Sequence, residues 1–360
     1  MNLDFSFLDY IWRGLLVGVP ASSLVLLVAV PLFFVLQNRV SAHAMKRFLN
    51  NQIVLAISVF VGSFFFVSMM DPELAARCFD RFAQSSVTFA ITRSIAASWL
   101  FGAMVLLMLD VIRLWSAFRF AQGFEPLDDL TAASILNRKL RVLGLNPNSV
   151  QLMTDSREGS PFVWGLIRYQ LVIPRSILQK INESALDALI THELIHVRDR
   201  DSLLLSLELG LRRILFFVPL TWWLGSFYRL AVEKAADEQA VQVGGVSASE
   251  LMRSLLQVVS KSRPMDAGPL KLGASRDFLE LKGRFLALQS SPASSRLGQW
   301  LQRLLLGAVF VSFGLSMAQA GTSLKDQKQN SEAGQMCSQV QHERVIEAWL
   351  KLEPSPIRCE

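Results

Sequence analysis

Two charge-free apolar runs, Leu15–Leu36 and Ile53–Met70, constrain this chain more than any other feature. Each is long enough to cross a hydrocarbon core of about 30 Å as a helix. A helix also satisfies its backbone polar groups internally, as lipid requires. Pro20 and Pro31 interrupt the first run, which argues against a soluble helix and is tolerated in a span. A third run, Ser94–Leu109, continues past Asp110 into the mixed stretch VIRLWSAFRF. A fourth, Leu301–Ala320, is apolar apart from Arg303 and two glutamines near its ends. Four spans are therefore expected, and they account for a chain that is 51% hydrophobic and only 18% charged.

The net charge of +6 does not mark a nucleic-acid partner, because the basic residues form no dense stripe. They collect in particular loops, as the positive-inside rule produces. The link between the first two runs carries Arg39, Lys46 and Arg47 with no acid, and is expected in the cytoplasm. The next link balances Asp71, Glu73 and Asp80 against Arg77, Arg81 and Arg93, and can lie outside. This topology puts the N-terminus outside, everything between the third and fourth spans inside, and the C-terminus outside. Cys78, Cys337 and Cys359 then all fall outside, where disulfides persist, and Cys337 is expected to pair with Cys359. The small-residue sequence Ala318, Gln319, Ala320 closing the last run also resembles a secretory cleavage site, although a plain span ending in small residues is the favoured reading.

Between Gln122 and Asn182 the composition is that of a soluble fold. PLDDLTAASILNRKLRVLGL has helical apolar spacing and stops at Gly144, ahead of Pro147. SVQLMT alternates as a strand, and SPFVWGLIRYQLVIP reads as two short strands joined near Gly165 to Arg168. A small antiparallel sheet is expected. NESALDALITHELIHVRD then begins a helix that Asn182 or Ser184 can cap, Ser184 and Asp187 having capping-box spacing.

That helix carries two of the chain's four histidines, His192 and His196, one turn apart on the same face. One cation can take both imidazoles, and Glu193 can reach a water beside it without being a ligand. This is the H-E-x-x-H arrangement of zinc-assisted peptide hydrolysis, with Glu193 as general base. Downstream, YRLAVEKAADEQAV puts Glu233 and Asp237 one turn apart. Glu233 can complete a three-ligand zinc site with an open position. Asp237, and also Asp201, can accept a hydrogen bond from the far nitrogen of a ligand histidine. Tyr169, Tyr228 and Arg229 are candidates to stabilise an oxyanion.

SPFVWGLIRYQLVIP, THELIHVRDRD and EKAADEQAV, in this order, resemble the BlaR/MecR family of integral-membrane zinc metallopeptidases, a gluzincin group. The resemblance runs from about Leu127 to Val243. It implies zinc ligands His192, His196 and Glu233, with Glu193 as the base. It also implies cleavage of a cytoplasmic protein after an outside signal, best known for repressors of antibiotic resistance. The antibiotic-sensing members end in a penicillin-binding domain. Here 40 residues follow Ala320, with no Ser-x-x-Lys motif, so β-lactam sensing is not expected.

For Glu233 to meet His196, the stretch between them must cross the membrane an even number of times. It is too short for two spans, so a helical hairpin over 203–227, broken near Pro219, is expected at the membrane surface. The expected fold class is α+β, a multi-span helical membrane protein with a cytoplasmic gluzincin-like domain. Its divisions are a three-span bundle over 1–120, the zinc peptidase over 121–295, the last span over 296–320 and a short tail over 321–360. The expected activity is zinc-dependent endoproteolysis of a cytoplasmic or membrane-surface protein in signal transduction. Its partners are a protein substrate and the lipid bilayer of an inner, cytoplasmic membrane. Housekeeping cleavage of membrane proteins, a zinc-containing receptor that does not cut, and a transporter built on the intramembrane charges are the other readings.

Overall fold

A computed structural model describes residues 7–37, 40–69, 86–157, 159–261 and 281–288. Contacts divide the chain into two units, Met1–Ser295 and Arg296–Glu360, and every described residue belongs to the first. The expected fourth span, the tail and its cysteines, and Cys78 all lie outside the described residues.

The apolar runs form α1 (Phe7–Leu36), α2 (Ala42–Met69) and α3 (Ser86–Ala121), and these three helices are long and apolar enough to cross a membrane. α1 and α2 approach closely at Gly14 and Gly18. A Cβ on Gly14 would stand 2.4 Å from the Phe64 ring, and one on Gly18 would stand 2.4 Å from Ser63 Oγ. Paired small residues one turn apart allow backbones in lipid to pack in this way. Along α2 the buried residues Lys46, Leu49, Ile53, Ala56, Phe60, Ser63 and Val67 form one stripe at alternating steps of three and four. α3 is largely exposed, with Phe101, Met104, Met108 and Trp115 facing outward as lipid-facing positions do.

The soluble part begins with β1 (Glu125–Pro126) and α4 (Leu130–Val142). Asp129 caps α4 through the amide of Ala132, and Gly144 leaves it at φ +67°. β2 (Val150–Asp155), β3 (Phe162–Trp164) and β4 (Tyr169–Pro174) complete a four-stranded sheet in the order β1-β2-β4-β3. The sheet is mixed and not antiparallel. β3 and β4 form the expected hairpin, turning at Gly165 with φ +117°, but β4 runs parallel to β2, with Leu152 opposite Leu171. The crossing through β3 lets β4 return in the direction of β2, so the most buried strand lies inside and β3 lies at an edge.

After the short helix α5 (Arg175–Leu178) come α6 (Glu183–Asp199), α7 (Asp201–Ile214), α8 (Pro219–Gln242), α9 (Ala248–Lys261) and a helical segment, α10, over 281–288. Asn182 is the cap of α6, accepting from Ala185 N at 3.0 Å. Ser184 bonds Glu250 instead, and Asp187 pairs with Arg138 and Lys139, so no capping box forms. α7 and α8 make a helical hairpin that breaks just before Pro219, and its second arm continues as the helix that bears Glu233. Leu136, Leu140, Leu171, Ile173, Ile190 and Leu194 join α4, the sheet and α6 in one core.

Candidate metal centre

α6 is buried on most of its circumference, which fixes the rotation of its histidines; Ile190, Leu194 and Ile195 are all within 1% of full burial. α8 packs against it through Ala236 and Ala240, small residues that let the two helices approach. Three donor atoms converge between them. His192 Nε2 lies 3.3 Å from His196 Nε2, Glu233 Oε2 lies 3.5 Å from the first and Glu233 Oε1 lies 3.8 Å from the second.

Each histidine has its other nitrogen against a buried carboxylate. His196 Nδ1 is 2.7 Å from Asp201 Oδ2, and His192 Nδ1 is 3.1 Å from Asp237 Oδ1. The Asp201 contact is a hydrogen bond, whereas Asp237 faces His192 Nδ1 as an ion pair off the hydrogen-bond line. A proton at each Nδ1 leaves both Nε2 lone pairs turned toward Glu233, a tautomer that suits metal ligation. Asp201 reaches His196 because the chain turns sharply between α6 and α7. Arg200 there has φ 57°, the one non-glycine residue with positive φ among the described residues.

The donor set fits a zinc ion. Two imidazole nitrogens and one carboxylate oxygen have their ligand atoms within 4.8 Å of one another. A tetrahedral ion with bonds of about 2.0–2.1 Å has ligand–ligand edges of roughly 3.4 Å, close to the separations seen. The electrostatics also favour positive charge. Burial alone would lower the pKa of His192, but the Asp237 and Glu233 carboxylates outweigh it and raise it to about 10. Burial pushes Glu233 up, yet His192 and His196 hold it below the usual carboxylate range. Asp237 is held low against its burial by Arg284 and His192. Glu193 goes the other way: burial raises it, with help from Glu233, and the two histidines reverse this only in part. A carboxylate held above its ordinary value is suited to exchanging a proton.

Two residues of the site were not evident from the sequence. Arg284, on α10, donates two bonds of 2.7 Å to Asp237, stands 3.0 Å from Glu233 Oε2 and comes within 3.4 Å of His192 Nε2. Lys46, at the start of α2, pairs with Asp199 and Asp201. Lys46 enters the sequence reading only as a cytoplasmic loop charge. The oxyanion candidates do not gather here. Tyr228 is fully buried and donates to Asn50 Oδ1 at 2.6 Å, Tyr169 belongs to the core, and Arg229 is exposed.

Residues 22–288 match the family BlaR1 peptidase M56. The chain belongs to that family. The matched stretch holds α2, α3, the sheet, all three converging side chains and Arg284. The chain is also similar to the methicillin resistance mecR1 proteins of Staphylococcus aureus, strain Mu50 among them, and of Staphylococcus epidermidis. In each case the identity is 24% over 164 residues, 43% of this chain and 26% of the relative. The match thus spans about a quarter of the length of those relatives. The chain is thus a membrane protein of a peptidase family, with three apolar helices of membrane length.

Proposed function

We propose that this protein is a membrane-anchored zinc endopeptidase that cuts a protein at the cytoplasmic membrane surface as a step in signal transduction. The observation that carries the reading is the convergence of His192 Nε2, His196 Nε2 and Glu233, with a buried carboxylate facing each Nδ1. His192, His196 and Glu233 would hold the ion. When bound, zinc supplies Lewis acidity, polarising a carbonyl and acidifying water.

The chain's own residues do the rest. Glu193 takes the proton of the attacking water and passes it to the leaving amine. Asp237 and Asp201 keep the two imidazoles in orientation. Arg284, fixed by Asp237, is the cation beside the reacting centre, and its guanidinium is placed to bond the oxyanion that develops there. The substrate lies extended along β3, whose outer edge pairs with no other strand among the described residues and which packs on α6. Backbone pairing along that edge would bring a scissile bond past Glu193. Three membrane helices on the same unit keep the site near lipid, which favours tethered or membrane-drawn substrates.

The test is a comparison of new protein N-termini in cells producing the wild type or Glu193→Gln. A defined set of cleavages present only with the wild type is expected. Identical sets in the two would refute the proposal.

A further inference from the structure

Lys46 is 1% exposed, although it stands at the start of a membrane-length helix whose loop neighbours are basic. It occupies the buried stripe of α2, in register with Leu49 and Ile53. A buried ammonium is costly unless it is paired. Its partners are Asp199 Oδ2 at 2.8 Å, as a hydrogen bond, and Asp201 Oδ1 at 2.6 Å, as an ion pair off the ideal hydrogen-bond line.

These two aspartates flank Arg200. Asp199 ends α6, Asp201 begins α7, and the residue between them has the left-handed backbone that an arginine seldom adopts. That turn is what directs the second oxygen of Asp201 back onto His196 Nδ1. One lysine from the membrane bundle therefore bridges both sides of the strained turn and touches the carboxylate that orients a ligand histidine. The same end of α2 also holds the other ligand-bearing helix. The backbone amide of His43 donates to Glu238 Oε2 at 2.8 Å, and Asn50 accepts from Tyr228.

We infer that Lys46 is a positioning residue for the metal centre: it clamps the turn at Arg200 and holds Asp201 against His196, so that transmembrane helix α2 sets the geometry of the site. It touches neither substrate nor ion and acts only through Asp201. A displacement of α2 along or about its axis would loosen this clamp before it disturbed α6 itself, which is anchored in the core by Ile190 and Leu194. The inference rests on reading His196 as a ligand.

The experiment measures zinc affinity by chelator competition on the full-length protein in detergent, for the wild type, Lys46→Met, Asp201→Asn and the double variant. Cobalt-substituted spectra report the ligand geometry alongside. Lys46→Met should weaken zinc binding about 10-fold to 100-fold, the scale of an outer-shell change, and alter the cobalt spectrum. In the Asp201→Asn background the same substitution should change affinity by less than about 2-fold, because its route is already cut. Lys46→Arg should recover most of the loss. Wild-type affinity in Lys46→Met, or losses that multiply in the double variant, would overturn the inference. If Lys46→Met alone does not fold, the comparison is made on Lys46→Met combined with Asp199→Asn, where one buried carboxylate is removed with the ammonium, and the same outcomes apply. A wild type that binds no zinc would instead remove the underlying metal reading.

Discussion

The carboxylate of Asp237 lies 3.1 Å from Nδ1 of His192, and both groups are almost wholly buried. A carboxylate in that position fixes which imidazole nitrogen carries the proton, and so which lone pair is free for an ion. Asp237→Ala is expected to weaken zinc affinity about 10-fold to 100-fold without displacing α8, whose alanines make the helix contact. Chelator competition measures this, and unchanged affinity would remove Asp237 from the account.

Arg284 supplies a second prediction. Its two bonds to Asp237 are a geometry that lysine does not reproduce. Arg284→Lys and Arg284→Ala should both keep zinc, and both should lower the cleavage rate constant by about 100-fold with a smaller change in KM. Tetrahedral phosphorus-based peptide inhibitors should lose affinity in parallel. A loss confined to KM would show that Arg284 binds substrate and not the developing charge.

The core of the site was legible because it is local. His192, Glu193 and His196 sit on one turn of one helix, and Glu233 and Asp237 repeat the one-turn spacing on another. Helical periodicity alone puts each set on one face. The hairpin break before Pro219 was legible for a different reason, since Glu233 can meet His196 only if the chain turns back between them. What escaped was non-local. Parallel pairing of β2 with β4 depends on where the chain returns after β3, and alternation within a strand carries no record of its partner. Lys46 did leave a trace, since it falls in register with Leu49, Ile53 and Ala56, and a lysine on a buried stripe calls for a buried acid. Its partner lies 153 residues away, at Asp199, so the demand was visible and its answer was not. Arg284 left no such trace in LKGRFLAL.

Acid should destabilise the fold in a defined window. Burial raises the pKa of Asp155 and of Asp199, but Arg157 and Lys46 respectively outweigh it and leave both below the ordinary carboxylate value. A depressed folded pKa contributes stability that is complete above the unfolded value, about 3.9, and is lost as pH falls through the lower folded value. Thermal unfolding in detergent should therefore show no change from these groups between pH 7 and about 5 and a drop below about 4. Asp155→Asn should shrink the drop. A protein that gains stability on acidification, or an Asp155→Asn variant with the full drop, would contradict this reading.

The membrane topology gives a prediction that reaches beyond the described residues. With the N-terminus outside and four spans, a C-terminal epitope tag after Glu360 should be digested by protease added to intact cells stripped of any outer barrier. Cys337 and Cys359 should be joined and resist alkylation until reduced. A soluble tagged fragment on the outer side would show cleavage after Ala320, whereas a tag protected from protease would contradict the topology.

The central claim is that His192, His196 and Glu233 hold a zinc ion beside which Glu193 moves the proton. Zinc content and peptide cleavage, measured on the same preparations of wild type and Glu193→Gln, test it most directly. The account predicts one zinc per chain in both, with cleavage in the variant slower by about 100-fold to 10,000-fold, the scale of a lost general base. A variant that cleaves at the wild-type rate, or a wild type that cleaves without zinc, would contradict it.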